Sequence, residues 1–180
     1  MTILSIRTFG DPGLRERARP VDKIKPLHRR LAKSMIETMR VAPGVGLAGN
    51  QVGVLERIFV WEVDEEVGVV VNPEIVARSP EVEESDEGCL SLPGLTYPVE
   101  RSVEVTIEAL DEHGRPFTRT ARGLLARVFQ HEIDHLDGVL FVDRLPEALR
   151  REAMRELTRM SLGLPPTPPT APLTSAEETL

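Results

Sequence analysis

The segment Gln130–Gly138 reads QHEIDHLDG, so His131 and His135 stand four residues apart with Glu132 between them. Residues at that spacing share one face of a helix. Two imidazoles on a face with a carboxylate beside them form the HExxH donor set of a metal-bound hydrolase. The carboxylate's part in such chemistry is proton transfer: a divalent metal lowers the pKa of its water toward ~7, and a nearby base takes and returns the proton. Glu132 adjoins His131 too closely for both to bind one ion easily, so it is assigned that work. The bland alternative is a pair of histidines satisfied by hydrogen bonds at the edge of a core. Catalytic sites normally take three protein ligands and keep one position open, so the third ligand decides what the protein does.

Downstream, HEIDHLDGVLF opens like a metzincin, but Phe141 stands where that class has its third histidine, and no His or Cys follows His135. Glu152 and Glu156 could supply a carboxylate as in thermolysin-like peptidases, yet they sit in a repeating Arg/Glu pattern typical of surface charge. Upstream, the nitrogen and sulfur candidates are His28, His113 and Cys89. Cys89 lies in DEGCLSLPG, a Gly-flanked segment that reads as a loop or bent edge strand. Glycine there allows close backbone approach, and Cys/His/His with an open fourth position is a recognised catalytic arrangement. A buried, inert thiol is the competing reading of a single cysteine.

A chain of 180 residues with 41% hydrophobic content accommodates one well-buried domain. Its net charge of -7 argues against a body-wide surface for DNA or for an anionic membrane. The start, MTILSIRTFGDPG, lacks the basic and apolar blocks of a secretory signal. One cysteine excludes an internal disulfide, which suits a reducing compartment.

The elements that must position these residues follow from periodicity. Pro26–Arg40 reads as a first helix, ending near a Gly-rich loop from Val41 to Gly53. RIFVWEV and GVVVNPEIV read as short strands, with Asn72-Pro73 as a turn signal. RSVEVTIEALDEHGRPFTRTA reads as a hairpin turning at DEHG. Gly123–Leu136 is helical with Gly138 placed to end it, and Leu145–Leu162 forms a third helix. Strands mixed with a few helices predict an α+β single domain, antiparallel or mixed strands packed around a central HExxH helix, over residues 1–162. Residues 163–180, Pro/Thr-rich, read as a flexible tail.

Three segments in order, GVGLAGNQVG, EGCLSLPG and QHEIDHLDG, resemble the signature segments of the peptide deformylase family, and RTFGDPGLRERARPV and NPEI extend the likeness over about residues 2–145. The resemblance implies a hydrolase that removes the formyl group from N-formylmethionine of newly made polypeptides, releasing formate by attack of a metal hydroxide on the formyl carbonyl. It implies Cys89, His131 and His135 as metal ligands, Glu132 as general acid/base, and Gln51 with the backbone N–H of Leu90 as oxyanion donors. It leans toward ferrous iron as the native ion, although the donor set also suits Zn2+, Ni2+ or Co2+. The partners implied are N-formylmethionyl nascent peptides in a bacterial-type cytoplasm.

The methionine side chain needs an apolar slot, for which Val45, Leu124, Leu125 and Val128 are candidate walls, with plain core packing as the alternative. Val45 and Gly46 could pair with an extended peptide as an added strand. Arg101 is placed to pair with Glu87 or Asp134 in support of the ligands, against the alternative of a solvated arginine. A basic patch on the last helix is a candidate for transient docking on the ribosome. The chain departs from the pattern of the family it resembles at Gly49 and Asn50, where GLAGNQ stands for that family's more usual GLAAPQ or GLAATQ. Two other readings remain at this point: another metal-dependent amide hydrolase, and a module that binds formyl peptides without turnover.

Overall fold

The computed structural model describes residues 2–164, so all but the first two residues of the predicted tail lie outside the described residues. Helix α1 is Pro26–Val41. Strand β1 (Gly46–Ala48) follows, then β2 (Ile58–Val63), β3 (Glu66–Arg78), β4 (Val82–Gly88), β5 (Thr96–Ser102), β6 (Glu104–Leu110) and β7 (Pro116–Arg122). Helix α2 (Gly123–Leu136) and helix α3 (Glu147–Ser161) follow. The sheet of five strands has the order β1-β2-β3-β6-β7 with every neighbouring pair antiparallel, while β4 and β5 pair only with each other.

β2 reads IFVWEV without strict alternation because both its faces are covered. Phe59, Trp61 and Val63 join Phe129, Ile133 and Leu136 of α2 in one cluster. Ile58 and Val60 join Ala32, Met35 and Met39 of α1 in another. The two helices therefore sandwich the sheet, and a strand buried on both faces reads as a continuous apolar run. A third cluster lies under the turn after Cys89: Leu92, Leu95 and Val99 meet Phe141, Leu145, Ala153 and Leu157.

Four sequence expectations change. Asn72-Pro73 does not end a strand. β3 runs on to Arg78 through a register shift, with Asn72 at φ 51° and its amide paired to both backbone groups of Val21. Asn tolerates the left-handed region, so the dipeptide makes a bulge that also anchors the N-terminal segment. The stretch from Val41 to Gly53 is not all loop. It holds β1 and a 3-10 turn, Gly49–Val52, both too short for periodicity to reveal. Strand β4 starts at Val82, before DEGCLSLPG, whose first residues are the only part of it that reads as a loop or bent edge strand; the rest shows no strand pattern because the strand's side chains other than Glu87 are exposed. The third helix starts at Glu147, after Pro146.

The Gly49–Val52 turn carries Gln51 and passes close to the chain that follows it. A Cβ on Gly49 would stand 2.7 Å from the Val54 carbonyl oxygen and 2.9 Å from that of Glu56. Asn50 is fully buried and donates to the carbonyl of Glu16 at 2.6 Å, tying the turn to the N-terminal segment. An alanine at position 49 does not fit this backbone. Gly49→Ala is therefore expected to destabilise the fold by about 1–3 kcal/mol, read as a shifted denaturant midpoint. A midpoint equal to that of the parent would show that the turn relaxes without strain.

Candidate metal centre and substrate cavity

Helix α2 delivers its histidines from a mostly buried face. His135, Glu132 and Asp134 are buried, and the His131 and His135 rings lie edge to face with centroids 4.9 Å apart. Cys89 arrives from the other side, in the turn directly after β4, and its Sγ stands 3.2 Å from His135 Nε2. One donor atom each from Cys89, His131 and His135 lies within 4.8 Å of the other two. Neither His28 nor His113 joins them: His28 contacts Glu56, and His113 sits at the β6–β7 turn beside Glu112.

The orientation of each group has a local cause. The Nδ1–H of His131 donates to Glu87 at 3.0 Å, leaving Nε2 to face the thiol. Glu87, itself buried, also accepts both arms of Arg101 at 2.9 and 3.0 Å, and Arg101 reaches Asp134 at 2.6 Å. Arg144 pairs with Asp134 from outside. Burial alone would raise Glu87, but His131 and Arg101 outweigh it and bring its carboxyl down to about 2. Asp134 is likewise held below the usual carboxylate range, burial being outweighed by Arg144 and Arg101.

Burial would also raise the Cys89 thiol, yet the two imidazoles hold it well below the ordinary thiol range. His131 is pushed well above the usual imidazole range by the Cys89 sulfur and Glu87, against burial. Glu132 behaves oppositely: burial raises it to about 7 against the pull of both imidazoles. Its Oε2 and the Nδ1 of His135 are buried without a hydrogen-bond partner. A thiolate and two imidazole nitrogens converging beside an unpartnered carboxylate fit a four-coordinate divalent ion with an open position.

Gln51 is held so that only one end of its amide faces this centre. Its Oε1 accepts from Ala48 N–H at 2.8 Å, which turns Nε2 toward Ser91 Oγ at 3.2 Å and Cys89 Sγ at 3.6 Å. The centre opens into a cavity of about 450 Å³ whose walls include Val45, Gly46, Leu90, Leu124 and Val128. Leu125 is a correction. Being one residue off the Leu124–Val128 face, it packs against the main core and does not line the cavity. Sequence reasoning passed over Ser91, Arg144 and Arg127. Arg127 was detectable, since it stands four residues before His131 and so shares its face.

The sequence profile of the polypeptide deformylase family matches residues 3–151. The chain belongs to the peptide deformylase family. It is 50% identical over 157 residues to the peptide deformylase of Acidothermus cellulolyticus, covering 87% of each chain. The crystal structure of the Thermus thermophilus peptide deformylase superposes with a TM-score of 0.84 at 46% identity, over 89% of this chain and 99% of that one. The peptide deformylase from Synechococcus elongatus, solved in complex with actinonin, gives 0.82 at 39% identity over 91% of each. Like its family, the chain is a metal-dependent hydrolase that removes the N-formyl group from nascent polypeptides. Among the described residues no helix is long and apolar enough to cross a membrane.

β1 passes close to Glu132: a Cβ on Gly46 would stand 2.2 Å from Glu132 Oε1 and 2.8 Å from its carboxyl carbon. The carboxylate is the movable partner, so Gly46→Ala is expected to displace it while leaving the fold intact. Deformylation should drop about a hundredfold, the scale of lost proton transfer, with a nearly unchanged melting temperature. Full activity in that variant would mean that β1 does not set the position of Glu132.

Proposed function

We propose that Cys89, as thiolate, with His131 and His135 holds the catalytic ion, natively Fe2+, and that Zn2+, Ni2+ or Co2+ can take its place. The observation that carries this reading is the convergence of those three donors beside the unpartnered Glu132 carboxylate at the cavity floor. When bound, such an ion supplies Lewis acidity that activates a water and polarises the formyl carbonyl.

Glu132 does the proton work. It takes a proton from the attacking water, whose oxygen bonds to the formyl carbon. It then returns the proton to the methionine nitrogen as the C–N bond breaks and formate leaves. A carboxyl raised to about 7 is matched to accepting and returning a proton near neutrality. The Nε2–H of Gln51 and the backbone N–H of Leu90 donate to the oxyanion that develops on the formyl oxygen. Ala48 N–H fixes the Gln51 amide beforehand, so its donor needs no reorganisation during reaction.

The methionine side chain occupies the apolar wall of Leu124 and Val128, with Val45 at the mouth. β1 is an edge strand of the five-stranded sheet, so its free side around Gly46 can pair with the substrate backbone. Glu87, Arg101 and Asp134 support the ligands as a buried ion network. Residues 1–162 form the catalytic unit. The substrate implies a cytoplasmic place of action. The exposed arginines of α3, Arg150, Arg151 and Arg155, supply a basic face for transient docking on the ribosome.

Formate release from a short N-formyl-methionyl peptide, by protein prepared anaerobically and loaded with ferrous iron, tests the reading. Gln51→Ala is expected to lower the rate about a hundred- to a thousandfold with the metal retained, the usual effect of losing one oxyanion donor. Glu132→Ala is expected to abolish release. Actinonin should compete with the peptide. Undiminished release by either variant would remove that residue from its assigned role.

A further inference from the structure

The two halves of the metal centre come from parts of the fold that share no strand pairing. His131 and His135 sit on α2, which packs on the five-stranded sheet, whereas Cys89 follows β4 of the separate β4–β5 pair. The distance between thiol and imidazoles thus depends on what holds this two-stranded arm against the helix. Gln130 ties the end remote from Cys89, its amide bonding both backbone groups of Ser102, which pairs with Val82 at the start of β4.

Arg127 ties the near end. One turn before His131, it sends Nη2 to the Glu83 carbonyl at 2.8 Å and Nη1 to the Val99 carbonyl and to Glu87 Oε1, each also at 2.8 Å. A longer contact at 3.4 Å reaches the carbonyl of Ser85. One guanidinium therefore bonds both strands of the arm and the carboxylate that orients His131. Its side chain is only 12% exposed, and it lines the cavity between Leu124 and Val128. Because Glu87 pairs with the guanidinium, Arg127 adds a wall to the methionine slot rather than a free cation.

We infer that Arg127 is a positioning residue for the metal centre: by clamping β4 and β5 to α2 it sets the Cys89–histidine geometry and so the affinity for the ion. The inference rests on Cys89, His131 and His135 being the ligands. Only a planar fork spans these acceptors. Lysine offers donors from a single nitrogen and keeps the charge but not the reach.

The test uses the full chain and Co2+ alone as probe, in the parent, Arg127→Met and Arg127→Lys. Cobalt affinity is measured by chelator competition, and thiolate-to-cobalt absorption reports the Cys89 bond. Both are read below the melting temperature of each variant, with folding checked by circular dichroism. Arg127→Met is expected to weaken cobalt binding about ten- to a hundredfold, the scale for groups that orient metal ligands, and to shift the thiolate band; Arg127→Lys should fall between it and the parent. Parental affinity and band in the folded variants, even with a lowered melting temperature, would overturn the inference and leave Arg127 a packing residue. Should Arg127→Met not fold, Arg127→Lys decides by the same criterion. A parent that binds cobalt without a thiolate band would instead overturn the ligand assignment and take the inference with it.

Discussion

The buried Glu87 carboxylate is the group on which the geometry of the centre depends. It is two residues from Cys89 and bonds His131, so it joins the thiol's strand to the imidazoles' helix. A buried charge is costly unless paired and fully hydrogen-bonded. Here both Glu87 oxygens are taken up by Arg101, Arg127 and His131. Removing any one of these partners would leave a buried Glu87 oxygen short of a hydrogen bond beside Cys89 and His131.

Electrostatic balance then separates two carboxylates on neighbouring elements. Glu87, surrounded by cations, stays ionised down to about 2, and Asp134, paired with Arg101 and Arg144, is lowered as well. Glu132 has no such partner and is raised to about 7 by burial. Environment thus drives the two carboxylates in opposite directions, which suits Glu87 to a structural task and Glu132 to the proton transfer proposed for it. The close passage of β1 over Glu132 confines that carboxylate between the cavity and the helix.

Much of this was readable from residue types. HExxH placed two imidazoles and a carboxylate on one helical face, and a single cysteine between glycines left few choices for the third ligand. The apolar run of β2 and the amphipathic α1 were equally plain. Strand β4 was not, because EVEESDEG exposes almost every side chain and is a strand only through its pairing with β5. Arg127 shares the His131 face by its spacing, but its acceptors are backbone carbonyls of that unrecognised arm, so what it holds was not readable. Asn72-Pro73 carried a true turn signal that the fold uses as a bulge within a longer strand. Long-range placement decided all three, and local pattern does not encode it.

X-ray absorption at the zinc edge, on the full chain loaded with one zinc per molecule, tests the central claim most directly. One sulfur at about 2.3 Å and two imidazole nitrogens at about 2.0–2.1 Å are expected, with the sulfur lost in Cys89→Ser. A first shell of nitrogen and oxygen alone in the parent protein would contradict it, since the thiol of the β4–β5 arm would then not reach the ion held by α2.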